Sequence, residues 1–438
     1  FQGRWQNLNG NLQWNRRVSD TQRVELKLGG RASKGRFDGL TTTQRRTVGD
    51  NRDRNLTQSG KYGRFIGEAH TLSAGWELEW RRRDETRTIT ENGVPQLPEF
   101  EGQPFGARIA RQALYLQDEW ELSPQWSTYL GLRSERIETR SQGGAEPARN
   151  LSRVTTPLVH LTYKLDPKGR DLVRASLTRS YKAPELNALL ARPGINGLFT
   201  DTTRPNTEAA PDRRGNPGLK PELATGLDIA FERYLAGGAM FSIGGFHRSV
   251  DDLVRSVTTL QTVSWASVPR YVSTPVNFSK ARSTGLELEL KGRAGEWLPG
   301  VFDARTALNL RASLNWYRSR VAAVDGPDNR LDNQQPWSGN LGFDYRFGAL
   351  PLSVGASLAY TPGYVTRQTQ VQSLAQTRSR ALDAFALWNF SRSMSLRVSA
   401  NNIAPLDTAS RTFFESGEST RTEREGRTFY GANLEIKL

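Results

Sequence analysis

Apolar and polar residues alternate along this chain with a period of two. In TLSAGWELEWR (71–81), Leu72, Ala74, Trp76, Leu78 and Trp80 share one side, and Ser73, Gly75, Glu77, Glu79 and Arg81 the other. In an extended strand those sets face opposite ways. The same split sets Val24, Leu26 and Leu28 against Arg23, Glu25 and Lys27, and Leu286, Leu288 and Leu290 against Glu287, Glu289 and Lys291. It sets Leu308, Leu310, Ala312, Leu314 and Trp316 against Asn309, Arg311, Ser313 and Asn315. It recurs at Leu352–Tyr360, at Met394–Ala400, and at Tyr430, Ala432, Leu434, Ile436 and Leu438. Helical spacing fits none of these segments, so the pattern predicts an all-β chain of about 17 strands. One residue breaks the rule. Asp118 shares its parity with Leu114, Leu116, Trp120 and Leu122, which calls for a bulge or an interfacial position.

Two architectures use such strands. A β-sandwich buries the apolar face, whereas a membrane barrel turns it to lipid and the polar face to a lumen. The apolar faces run ~9–11 residues, enough to cross a bilayer at a tilt. Aromatics stand near their ends, at Trp5, Trp14, Trp76, Trp80, Trp120, Trp126, Trp316, Tyr360 and Trp388, as in interfacial girdles. Short turns are expected at 18–22, 122–126, 165–170, 235–239, 347–351 and 390–394. Long polar loops are expected at 35–60, 84–107, 181–221, 251–279, 319–336, 362–378 and 403–427. That alternation fits an antiparallel transmembrane β-barrel with periplasmic turns and outer loops. The whole of 1–438 is read as one barrel domain. Its first strand, around Arg4–Arg17, descends into a short turn. A single-chain barrel starts and ends in the periplasm, so an odd number of strands is expected upstream.

Composition narrows the function. The 438 residues carry a net charge of +15, no cysteine and three histidines, His70, His160 and His247. Disulfides, thiolate metal sites and cysteine nucleophiles are excluded. No Ser/His/Asp set has local motif support, so no enzyme, metal site or cofactor is expected. The glycine-rich stretch 292–300 does not precede a helix and is not a phosphate loop. There is no run of about 18 apolar residues. The chain starts at Phe1 without a basic-then-apolar leader, so any signal peptide is expected to lie outside it. Arginines are spread along the chain rather than gathered in a tail or helix, which argues against nucleic acid.

Several stretches resemble the TonB-dependent outer-membrane receptors. LYLQDEWELSPQWSTYLGLRSE (114–135) is similar to that family's strand–turn–strand pattern, and ASLTRSYKAPELNALL (175–190) to its Ser-x-x-x-Ala-Pro-x-Leu segment. GNPGLKPELATGLDI (215–229) resembles its Asn-Pro-x-Leu-Lys-Pro-Glu motif, and TGLELEL (284–290) and LRVSANNIAPLD (396–407) match later strands in order. The resemblance implies a barrel of about 22 strands, of which about 16–18 are expected here. It implies a plug domain and a TonB energy-coupling complex as partners through an N-terminal region missing here, and import of a scarce nutrient such as a ferric siderophore or similar metal chelate. The family's usual terminal aromatic is replaced by Leu438. A passive porin and an adhesive surface protein are the competing readings.

Candidate ligand contacts lie in the long loop 181–221. Tyr181 and Phe199 supply flat apolar surface, and Lys182, Arg192, Arg204, Arg213 and Arg214 supply cations suited to carboxylates, catecholates or phosphates. Lipopolysaccharide phosphates would use the same cations. Glu77, Glu79, Arg81, Arg133, Glu135, Arg311 and Arg397 face the lumen by parity, where they line a hydrated wall or grip a plug.

Overall fold

The computed structural model describes residues 1–41, 45–143, 148–166, 168–235, 237–303 and 305–437. Leu438 lies outside these residues, as do parts of the turns expected at 165–170 and 235–239. Among the described residues, seventeen long strands form one continuous antiparallel ladder. They are β1 (Gln2–Ser19), β2 (Gln22–Leu40), β3 (Arg45–Ile66), β4 (His70–Glu91), β5 (Phe105–Glu121), β6 (Trp126–Gln142), β7 (Ala148–Lys164) and β8 (Asp171–Lys182). There follow β9 (Glu222–Tyr234), β10 (Met240–Gln261), β11 (Arg270–Arg293), β12 (Leu308–Val321), β13 (Trp337–Arg346), β14 (Leu352–Thr361), β15 (Ser379–Asn389), β16 (Met394–Asn401) and β17 (Phe429–Ile436). The chain is a transmembrane β-barrel wall, with the expected strand number. No ladder pairing joins β17 to β1 among the described residues.

The register confirms the lipid face. Leu12 pairs with Leu28, Leu116 with Leu132, Leu288 with both Ile243 and Leu314, and Leu396 with Leu434. These leucines form continuous apolar rows across neighbouring strands, as lipid contact requires. Trp5 departs from the expected girdle. It sits opposite Gly35 on the inner side, and its ring lies where a β-carbon at Gly35 would be.

Asp118 needs no bulge. The β4–β5 register runs unbroken from His70–Trp120 to Glu85–Phe105. Asp118 stands three residues from the turn-side end of β5, and its Oδ2 lies 2.8 Å from His70 Nδ1. His70 in turn stacks on Trp120, with ring centroids 5.0 Å apart. The carboxylate is therefore interfacial, paired with an imidazole on the same face.

Long polar segments behave differently from expectation. Most of 35–60 belongs to β2 and β3, 84–91 to β4, and 251–261 and 270–279 to β10 and β11. These strands run on past the apolar rows, where lipid no longer imposes alternation, so the alternation stops while the ladder continues. Four short strands, Tyr364–Arg367, Gln372–Gln376, Thr408–Phe414 and Ser419–Arg424, make a separate sheet within the two loops expected at 362–378 and 403–427. In 292–300 a single helical turn, Ala294–Trp297, follows β11.

Loops of distant strands meet, which requires the wall to curl. Arg45 at the end of β3 donates to the carbonyl of Ile195, between β8 and β9. Further along that loop, the Ala209 amide donates to Glu418, between β16 and β17.

Candidate functional site: an arginine-lined mouth

The β8–β9 loop folds back into the mouth because it carries its own apolar residues. A helical turn at Leu186–Leu189 buries Leu186 and Leu189, and with Leu190 and Leu219 they pack against Phe105, Ile109, Ile137 and Val154 of β5–β7. Gly215 lets the returning strand close over this turn. Its amide donates to Leu190 O at 3.1 Å, and a β-carbon there would lie 2.1 Å from that oxygen.

A second anchor holds the far side of the loop. Arg270, at the start of β11, is fully buried with Asp212, with Nε–Oδ2 and Nη2–Oδ1 both at 3.0 Å. The guanidinium also donates to the carbonyls of Phe199, Asp201 and Arg204, and Trp265 Nε1 donates to Asp212. Every donor position of the fork meets an acceptor, the condition for keeping a buried charge.

Between these anchors lies a cavity of about 990 Å³, open to solvent and lined by Arg83, Arg87, Arg192, Arg213, Arg214 and Glu85, among others. Arg83 and Arg87 extend the inward row of β4. They share the buried Glu85 at 3.8 and 2.6 Å, and Arg83 also reaches Asp53 at 3.2 Å. Arg192 is 8% exposed. Its Nη2 donates to Arg87 O at 2.5 Å and its guanidinium lies 5.4 Å from the Phe105 ring centre, while Nε and Nη1 are buried without an acceptor among the described residues. Burial, then the neighbouring Arg87 charge, pulls its pKa down to about 10, so it stays charged at neutral pH. A cation so placed lacks two acceptors that an anion would supply.

Three of the seven loop candidates thus meet here: Arg192, Arg213 and Arg214, the last 6.0 Å from the Trp265 ring. The other four do not line the cavity. Arg204 is exposed beside Asp201 at 3.3 Å, Lys182 lies 3.7 Å from Glu222, and Phe199 supplies a carbonyl to Arg270. Tyr181 turns inward beyond the last β7–β8 pair, Leu158–Thr178, and its hydroxyl meets Glu135 and Arg111. Arg83, Glu85 and Arg87 were missed. Extending the parity of Glu77, Glu79 and Arg81 by three alternate positions finds them, Glu85 and Arg87 inside the segment expected as loop.

The lumen candidates sit lower on the wall. Arg111 reaches Glu79 at 3.0 Å, Glu77 at 3.6 Å and Glu135 at 3.5 Å, and Arg133 joins Glu77 at 2.6 Å and also contacts Glu135. Arg81 lies 3.9 Å from Glu79, Arg311 lies 3.0 Å from Asp344, and Arg397 lies over the Phe385 ring at 3.8 Å. Neighbouring wall residues already partner each of these.

The profile of a family described as TonB dependent receptor-like, beta-barrel matches residues 1–403. A probable TonB-dependent siderophore receptor, PiuA of Acinetobacter baumannii, is 24% identical over 96% of this chain and 54% of its own length. Among solved structures, the unliganded ferric citrate transporter FecA superposes with a TM-score of 0.71 at 14% identity, over 98% of this chain and 61% of that one. The copper transporter OprC gives a TM-score of 0.71 at 14% identity, over 99% and 65%. At such identity these likenesses establish the fold alone. The chain spans about half the length of the curated relative just described.

Proposed function

Since this chain belongs to the TonB-dependent receptor β-barrel family, we propose that it forms the wall of a Gram-negative outer-membrane receptor that captures an anionic metal chelate, a ferric siderophore or a close analogue, at the arginine-lined mouth. The observation that carries the reading is Arg192: nine-tenths buried, charged, beside Arg87, with two buried donors that lack an acceptor, and itself lining a cavity of suitable size for a small chelate. Converging arginines bind carboxylate or catecholate oxygens in forked pairs, and the net positive lining draws anions in from solution. The metal travels inside the chelate as cargo. Family membership adds the plug and the TonB energy-coupling complex as proposed partners for import.

The test uses the full-length receptor in cells lacking other iron-chelate receptors. Uptake of labelled ferric citrate should be saturable, should stop when a protonophore collapses the inner-membrane potential, and should fall sharply in Arg192→Gln. Uptake that is linear in concentration and indifferent to the protonophore would identify a passive channel instead.

A further inference from the structure

Tyr181 belongs to two parts of the molecule at once. It is the penultimate residue of β8, paired with Leu223 of β9 after the β7–β8 ladder has ended at Leu158–Thr178. Its ring packs against the buried cluster of Leu186, Leu189, Leu190, Phe105 and Ile109 that seats the mouth loop, and Phe105 lies under Arg192 in turn. Its hydroxyl leaves that cluster for the lumen wall, where it donates to Glu135 and accepts from Arg111 Nη1 at 3.2 Å. Only Lys182–Glu185 separates it from the helical turn at Leu186–Leu189, so Tyr181 is the root of the loop that carries Arg192.

The wall holds this hydroxyl because Glu135 needs it. The Glu135 side chain is 2% exposed, and a carboxylate so buried must have its oxygens supplied with donors. Arg133 meets Oε1, while Oε2 has the tyrosine hydroxyl and, more distantly, Arg111 at 3.5 Å. Arg111 is shared, since it also reaches Glu79 at 3.0 Å and Glu77 at 3.6 Å. Losing the phenol would leave a buried oxygen with one long contact, so the network draws Tyr181 inward. The ring and the helical turn sit in one close-packed cluster, and neither moves without the other.

We infer that Tyr181 is a positioning residue for the mouth: its hydroxyl, held by Glu135, seats the turn Leu186–Leu189 and so sets Arg192 for the anionic chelate. The charges of the lumen wall thereby regulate affinity at the mouth. The inference rests on the chelate reading of the Arg192 cavity. Two arrangements are at issue. With the hydroxyl on Glu135, the turn is seated and Arg192 lies on Phe105 beside Arg87. With the hydroxyl released, the turn loosens and Arg192 is no longer held at the cavity. A chelate that binds the first arrangement favours it, and by linkage whatever stabilises that arrangement from the lumen side raises chelate affinity. Glu135 does not line the cavity, so its effect on the chelate runs through Tyr181.

The test uses purified full-length receptor, with ferric citrate as the chelate. The variants are Tyr181→Phe, which keeps the ring and loses the hydroxyl, Glu135→Gln, the two combined, and Arg192→Gln. The amides of Gly215 and Asn216 donate to the carbonyls of Leu190 and Ala188 at the turn. Without chelate they should exchange about five- to tenfold faster in Tyr181→Phe, while Leu286–Leu290 of β11 keeps its protection. Chelate affinity should fall about fivefold or more in Tyr181→Phe and in Glu135→Gln. The combined variant should lose no more than the larger single loss, because both changes remove the same bond. Unchanged exchange at Gly215 and Asn216, or additive losses in the combined variant, would overturn the inference. Loss of protection across β11 as well would also overturn it, by making Tyr181 a support of the wall. If Arg192→Gln weakens ferric citrate binding and Tyr181→Phe does not, the inference fails and the chelate site stands. If Arg192→Gln binds ferric citrate as wild type does, the chelate site itself fails, and Tyr181 positions nothing for it.

Discussion

Replacing Arg270 by alanine should release the mouth loop while leaving the barrel wall folded. The substitution leaves the fully buried Asp212 without its cation and removes donors from the carbonyls of Phe199, Asp201 and Arg204. Removing one partner of a buried pair costs about 3–5 kcal/mol, because the remaining charge is stranded. The cost falls on the loop, whose opening need not break the β1–β17 ladder. Hydrogen exchange reports it directly. The amides of Asn196, Arg213 and Tyr271 donate to Asp212, Gly194 and Asn206, and should lose about two to four powers of ten in protection at that energy. Protection in Leu286–Leu290 of β11 should not change. Arg270→Met combined with Asp212→Leu should recover much of the loss, since an apolar pair of similar volume leaves no stranded charge. Unchanged protection at those three amides in Arg270→Ala would refute the anchoring role. Equal loss throughout β11 would show that the pair holds the wall and not the loop.

Two further outcomes are expected. Leu288→Arg, between Ile243 and Leu314, should cost about 2–4 kcal/mol in refolding titrations into bilayers, and Glu287→Arg much less, because only the first faces lipid. His70→Ala should cost about 1–3 kcal/mol in the same assay by leaving Asp118 unpaired near the periplasmic rim, whereas Asp118→Leu together with His70→Ala should be close to neutral.

The wall was legible in sequence wherever lipid imposed alternation. Leu288 and Trp80 could be placed because one wrong parity would put charge into hydrocarbon. Above the membrane that constraint lapses. β4 therefore continues from 84 to Glu91 through the start of the segment expected as loop, and takes Glu85 and Arg87 with it. Arg192 was picked out as a cation, but its burial depends on Leu186 and Leu189 packing against β5–β7, a contact between residues far apart in sequence. Arg270 offered no local signal. It looks like any other loop-end arginine until the chain fold brings Asp212 to it. Asp118 was flagged by its broken parity, but its partner His70 is two strand positions away on a neighbouring strand, and only the register identifies it.

The most direct measurement is equilibrium binding of ferric citrate to the purified full-length receptor, wild type against Arg192→Gln, over a range of salt concentrations, with a neutral ferric trihydroxamate as control. The account predicts that the anionic chelate binds wild type more weakly as salt rises, that Arg192→Gln loses on the order of tenfold or more in affinity, and that the neutral chelate is unaffected by either change. Equal affinity of both proteins for ferric citrate at every salt concentration would contradict it.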